Sequence, residues 1–231
     1  MSPEQARLVR EATVFLLDFD GPVCSVFAGY PAPSVARDLL EDGAKAGTPV
    51  TPAMKAESDP MKVLELLYET EPRNHDRAEA FLTAAEVRSV MKSPPTTGAV
   101  EFLEAARAAD TPVAVVSNNS PEAVGVFLES QKLEGFVASI VGREKSTPHL
   151  MKPNPYLLEK ALRSLSGSPA QALMIGDSVT DIEVSQLVGV ASVGYANRPG
   201  KAQRFSELGA DIVVTDMAVL ARTLLSPPNP G

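Results

Sequence analysis

The sequence predicts an α/β fold, a doubly wound parallel sheet interrupted by a second, small helical domain. Three observations carry that reading. Short apolar runs rich in β-branched residues recur along the chain and do not alternate with polar residues, as strands buried on both faces of a parallel sheet require. Amphipathic stretches separate these runs, which implies βαβ crossovers. One connection, residues 18–112, is far longer than the usual few-residue link and reads as helical inside.

The apolar runs are Val14–Leu17, Val113–Val116, 137–141, 173–175, 191–193 and Ile212–Val214. Residues 99–109 place Val100, Leu103 and Ala106 on one helical face. The helix predicted over Pro121–Gln131 starts at Ser120, a good N-cap, with Pro121 at the first helical position. Residues 156–165 and 181–188 carry the same periodicity. Within the long connection, residues 34–46, 59–69 and 75–91 repeat apolar side chains at spacings of three and four, and Ser93-Pro94-Pro95 reads as a stiff linker. The predicted organisation is therefore a core of residues 1–22 and 96–225, a helical insertion of residues 23–95 over the sheet's C-terminal edge, and a disordered tail, 226–231. No repeat at a solenoid or propeller period is present.

Composition excludes several classes of function. The 231 residues carry 21 basic and 29 acidic side chains, a net charge of −8, and no run of Lys or Arg offsets it. A nucleic-acid or anionic-lipid surface is thereby disfavoured. The single Cys24 has no internal disulfide partner, which fits a reducing compartment. No apolar run approaches the ~20 residues that cross a bilayer, and the opening MSPEQARLVREATV is too charged for a secretory leader. A cytoplasmic protein with no membrane or nucleic-acid partner is expected, as a monomer or homodimer.

Ligands of open α/β sheets sit at the carboxyl ends of the strands, so the residues just after each apolar run bear on function. Asp18, Asp20 and Gly21 follow the first, Ser117 and Asn118 the second, and Gly176, Asp177 and Asp181 the fourth; Lys152 precedes a helix within Lys-Pro-Asn-Pro. This set suits phosphate chemistry. Carboxylate oxygens bind Mg²⁺, which bridges to phosphate. A carboxylate can attack phosphorus, and a second one two residues on can move the leaving-group proton. A lysine and a hydroxyl can hold the remaining phosphate oxygens.

The pattern Asp18-x-Asp20-Gly21, Ser117-Asn118, Lys152-Pro153 and Gly176-Asp177-x-x-x-Asp181 resembles the haloacid dehalogenase-like hydrolases over about residues 13–215. The resemblance implies a Rossmann-like core whose helical insertion is a cap of the kind found in phosphoglycolate-phosphatase-like members. It also implies roles. Asp18 would be nucleophile and metal ligand, and Asp20 general acid/base with its carbonyl on the metal. Ser117, Asn118 and Lys152 would hold phosphate, with Lys152 also neutralising the nucleophile. Asp177 would bind Mg²⁺ and Asp181 support the metal shell. The implied activity is a Mg²⁺-dependent phosphatase acting on a small phosphorylated metabolite through an aspartyl-phosphate. Pro22 departs from the family pattern, removing a backbone donor, which bears on the hinge and on substrate.

Each feature has a plainer reading. Asp-x-Asp-Gly also occurs in calcium loops, but Pro22 occupies the third ligand position and no bidentate Glu follows. Asp181 also fits a helix-start acid, Ser117 and Asn118 turn formers, and Lys152 a solvated lysine, though the functional reading is favoured for each. Cys24 reads as a packed hydrophobe, His75 and His149 as surface residues, and Met54, Met61, Met91, Met151 and Met174 as packing. Arg37, Lys62, Arg73 and Arg77 read as a wet helix face. Alternative functions are phosphoryl transfer to a sugar, phosphonate cleavage through a Schiff base on Lys55 or Lys62, and a receiver-type signalling module. The receiver is disfavoured by the nucleophile's place after the first strand.

Overall fold

A computed structural model describes residues 1–226. A helix α1 (Pro3–Glu11), begun by a Ser2–Gln5 capping box, leads into β1 (Val14–Leu17). The long connection carries α2 (Ala32–Lys45), α3 (Pro52–Ala56), α4 (Pro60–Thr70) and α5 (His75–Val90). There follow α6 (Ala99–Ala108), β2 (Val113–Val116), α7 (Pro121–Gln131), β3 (Ser139–Val141) and α8 (Tyr156–Ser164). The chain then continues through β4 (Ala172–Gly176), α9 (Val179–Val188), β5 (Ala191–Tyr195), α10 (Lys201–Glu207), β6 (Ile212–Val214) and α11 (Ala218–Leu225).

The six strands form one parallel sheet in the order β3-β2-β1-β4-β5-β6. Strand order reverses between β1 and β4, which opens a crevice at their carboxyl ends, the usual ligand position of such sheets. The inner strands are buried on both faces, as their non-alternating runs require, while the edge strand β3 leaves Ile140 exposed. Phe15, Leu17, Val115 and Ile175 pack with α1, α6, α7 and α11, while Val14, Leu16, Val116 and Met174 pack with α8 and α9. Each such side chain contributes roughly 1.5–3 kcal/mol by burial.

The connection between β1 and β2 has an apolar cluster of its own, in which Val35 and Leu39 of α2 meet Val63, Leu64 and Leu67 of α4 and Leu82 of α5. Its two crossings lie side by side: Thr96 donates through its N–H to Val23 O (2.8 Å) and through Oγ1 to Gly21 O (2.6 Å), and Ser93 Oγ donates to Ser25 O (2.8 Å).

Several expectations need correction. The third strand begins at Ser139 rather than 137, because a 3-10 turn over Glu134–Phe136 takes up the preceding residues. The ninth helix begins at Val179, with Ser178 as its N-cap. His75 lies inside, 2% exposed, with its ring edge-on to Tyr68. Met91 is no packing residue; it is 67% exposed. Cys24 is buried as read, and burial pushes its thiol far above the ordinary value, so it is not a thiolate. No helix among the described residues is long and apolar enough to cross a membrane. Of the predicted tail, all but Ser226 lies outside the described residues.

Phe102 is fully buried, 5.1 Å from Phe15 in an edge-to-face pair. Phe102→Ala is expected to lower unfolding stability by ~3–5 kcal/mol in urea titration, whereas exposed Leu187→Ala should stay within ~0.5 kcal/mol of wild type.

Candidate active site

The carboxyl ends of β1, β2 and β4 bring the expected residues together. Asp18 leaves β1, Ser117 leaves β2, and Asp177 leaves β4. Lys152 reaches in from the segment before α8. Its Nζ lies 2.8 Å from Asp18 Oδ1, 2.6 Å from Asp181 Oδ1 and 2.9 Å from the Val116 carbonyl. All three donors of the ammonium are used. Burial alone would lower Lys152, yet the two carboxylates raise it above the ordinary lysine value, so it is charged.

Asp18, Asp177 and Asp181 each present an oxygen within 4.8 Å of the others. Both Asp181 oxygens are engaged, since Oδ2 accepts from Ser178 Oγ (2.7 Å) and Ser178 N (3.0 Å). One side chain thus caps α9 through Oδ2 and meets Lys152 through Oδ1. Asp18 Oδ1 also accepts from Phe19 N (2.8 Å), while Oδ2 takes no hydrogen bond from a described residue. Asp177 is oriented through Oδ2 by Lys201 Nζ (2.6 Å) and Asn197 Nδ2 (2.8 Å), which leaves Oδ1 open. Burial, with Asp181 close by, pushes Asp18 up to about 8. With all three carboxylates ionised, the cluster would hold more negative charge than Lys152 and Lys201 offset. Hard oxygen donors with an excess of negative charge form a set that could hold a divalent cation.

Asp20 stands apart from this cluster. Its Oδ1 accepts from Val26 N (2.8 Å), and burial pushes its carboxyl up to about 6. A carboxyl able to be protonated near neutral pH suits proton transfer. Ser117 Oγ donates to Asn119 Oδ1 (3.1 Å) and accepts from Asn119 N (3.2 Å). The Asn118 amide is spent on the Lys152 backbone, accepting from its N–H (2.7 Å) and donating to its carbonyl (3.1 Å). The Asn118 backbone N–H donates to no described residue.

Two glycines permit these approaches. A Cβ on Gly21, at φ +107°, would fall 2.3 Å from Asp177 Cγ, and one on Gly176 would fall 2.2 Å from Asp181 Cγ. Pro22 sits in the same tight turn, where Val23 and Cys24 both donate to Phe19 O.

A cavity of about 600 Å³ opens over these groups. Its floor is formed by Asp18, Asp20, Ser117, Asn118, Lys152 and Asp177, and its opposite wall by Phe27, Pro33, Asp59, Met61, Lys62 and Glu65 from the insertion. Lys62 thus faces the cavity while paired to Glu65 (2.6 Å), whereas Arg37, Arg73 and Arg77 point to solvent as read. Asn197 and Lys201, which hold Asp177, and Arg198, which lines the cavity, are not among the residues that the sequence singles out. They follow the fifth apolar run, and the strand-end rule that found Asp18 and Asp177 would have found them had it been applied there.

Residues 59–195 match the family described as "Haloacid dehalogenase-like hydrolase", a stretch that holds Ser117, Lys152, Asp177 and Asp181 and begins after Asp18. A phosphoglycolate phosphatase of Caulobacter vibrioides is 28% identical over 207 residues, covering 85% of this chain and 76% of that protein. One from Rhodospirillum rubrum is 33% identical over 138 residues, 58% of this chain and 54% of its own length, so the chain spans about half of that relative. A pyrophosphatase of Halalkalibacterium halodurans is 28% identical, covering 73% of this chain and 72% of its own. Among solved structures, CbbY from Rhodobacter sphaeroides in complex with phosphate superposes with a TM-score of 0.66 at 16% identity, over 90% of this chain and 96% of that one. A hydrolase from Pseudomonas syringae gives 0.66 at 21% identity, over 92% and 97%. These structural likenesses show the fold.

Gly176→Ala must displace Asp181 and with it Lys152, so catalytic rate should fall about tenfold or more. Gly125→Ala, in α7 with nothing within 4 Å of the added carbon, should keep the rate and gain ~0.5–1 kcal/mol of stability. Steady-state kinetics and urea titration of the two variants check both expectations.

Proposed function

Because the chain belongs to the haloacid dehalogenase-like hydrolase family and its curated relatives are phosphatases, we propose that it hydrolyses a small phosphorylated metabolite with Mg²⁺ through an aspartyl-phosphate on Asp18. The observation that carries this reading is the buried lysine shared between Asp18 and Asp181, with a second carboxyl, Asp20, two residues from the first. Core residues 1–22 and 96–225 would supply the chemistry, and the insertion of residues 23–95 would cover it.

The donor chemistry fits a hard divalent cation. Asp18 Oδ2 and Asp177 Oδ1, the open carboxylate oxygens, would hold it with the Asp20 carbonyl, and Asp181, whose oxygens are both engaged, would support them. Bound there, Mg²⁺ would offset charge on the phosphoryl oxygens. In the first step an Asp18 oxygen bonds to phosphorus as the bond to the leaving oxygen breaks, and Asp20 gives that oxygen its proton. In the second, Asp20 takes a proton from water, the water oxygen bonds to phosphorus, and the bond to Asp18 breaks, releasing phosphate. Lys152 holds Asp18 ready and balances charge on the phosphoryl group, which Ser117 Oγ and the Asn118 N–H receive. The insertion excludes water from the phosphorylated carboxylate until the leaving group departs.

An aryl phosphate reports the activity without knowledge of the substrate, and phosphoglycolate and pyrophosphate are the first metabolites to try, given the relatives' names. Phosphate release should require Mg²⁺, stop with EDTA, and fall at least about a thousandfold in Asp18→Asn. Full activity in Asp18→Asn would rule out the covalent route.

A further inference from the structure

Arg143 lies just beyond β3, and its side chain is fully buried. Its Nε donates to Glu79 (2.9 Å) and its Nη1 to Glu86 Oε1 (2.9 Å), both carboxylates belonging to α5 of the insertion. The same Nη1 reaches the Asn118 carbonyl (2.7 Å) and Met61 Sδ on the cavity wall (3.2 Å). The Arg143 backbone N–H donates to the Asn119 carbonyl (2.9 Å). Glu86 completes the arrangement, accepting from Asn119 Nδ2 (3.1 Å) and from Ser120 N (3.0 Å) at the start of α7.

We propose that Arg143, with Glu86, is a positioning device for the phosphoryl-binding loop: it sets the Ser117–Ser120 backbone and seats the insertion on that backbone through one guanidinium. The inference rests on the phosphatase reading above and extends it to residues that touch neither substrate nor metal. Stability does not account for the cluster. Burying two carboxylates against one guanidinium is close to break-even or unfavourable relative to apolar packing, so the geometry it fixes is what the fold gains. The loop it fixes is narrow in purpose. Asn118 has its amide on the Lys152 backbone and its carbonyl on Arg143, so displacing Arg143 moves the Asn118 N–H and slackens the hold on Lys152 together.

The test is binding of inorganic phosphate in the presence of Mg²⁺, by calorimetry and as a competitive inhibitor, in Arg143→Lys and Glu86→Gln. Thermal melts establish that each variant is folded. Lysine keeps the charge but cannot span Glu79, Glu86 and Asn118 at once. Glutamine keeps the shape of Glu86 but sets an amide donor against either Ser120 N or Asn119 Nδ2. The expected result is phosphate binding weakened about tenfold in each, the equivalent of one charge-assisted hydrogen bond, with kcat/KM reduced at least as much. Glu79→Gln, which shares the guanidinium but does not touch the loop, should bind phosphate within about twofold of wild type. Folded Arg143→Lys and Glu86→Gln proteins that bind phosphate like wild type would overturn the proposal. Where Arg143→Lys fails to fold, Glu86→Gln decides alone. Phosphate release by the wild-type protein tests the phosphatase reading separately, since calorimetry of phosphate needs no turnover.

Discussion

The ammonium of Lys152 meets Asp18, Asp181 and the Val116 carbonyl at a position only 5% exposed. Removing one partner of a buried ion pair costs ~3–5 kcal/mol, because the remaining charge is left uncompensated. That penalty ties the carboxyl ends of β1, β2 and β4 to a single point. It explains why position 176 is glycine, since any side chain there would occupy the space of Asp181. It explains why Asp181 is both cap and counter-charge: Ser178 fixes one oxygen and Lys152 the other. Asp18, the residues that follow β2 and the carboxylates of Asp177 and Asp181 are thus held in one arrangement before any ligand arrives, the condition for electrostatic preorganisation.

The insertion answers a different need. A six-stranded parallel sheet offers only loops at its carboxyl edge. A helical unit with its own apolar cluster, laced at its two crossings, supplies a wall without disturbing the strands. That wall is mixed in character. Phe27, Pro33 and Met61 line it beside Asp59 and the Lys62–Glu65 pair.

The fold was legible because a parallel sheet writes itself as uninterrupted apolar runs, and every run predicted became a strand. Asp18, Ser117, Lys152, Asp177 and Asp181 were legible for a related reason, since each sits where a strand ends or a helix starts. What stayed hidden depends on distant partners. His75 looks like any polar residue at a helix start; only the fold places it beneath Tyr68 and against Ser146 N. Glu79 and Glu86 fall on a helix whose charges read as solvated, and Arg143, which buries them, is far off in sequence. The Asn118 amide pairs with the Lys152 backbone, a partnership that no local pattern encodes.

The account stands on covalent chemistry at Asp18, and an acid-quenched single turnover addresses it most directly. With an aryl phosphate and Mg²⁺, aliquots quenched along the time course are digested and mapped by mass. The account predicts one phosphoryl group on the peptide that carries Asp18, rising early and decaying as phosphate accumulates. Complete phosphate release with that peptide unmodified at every time point would contradict it.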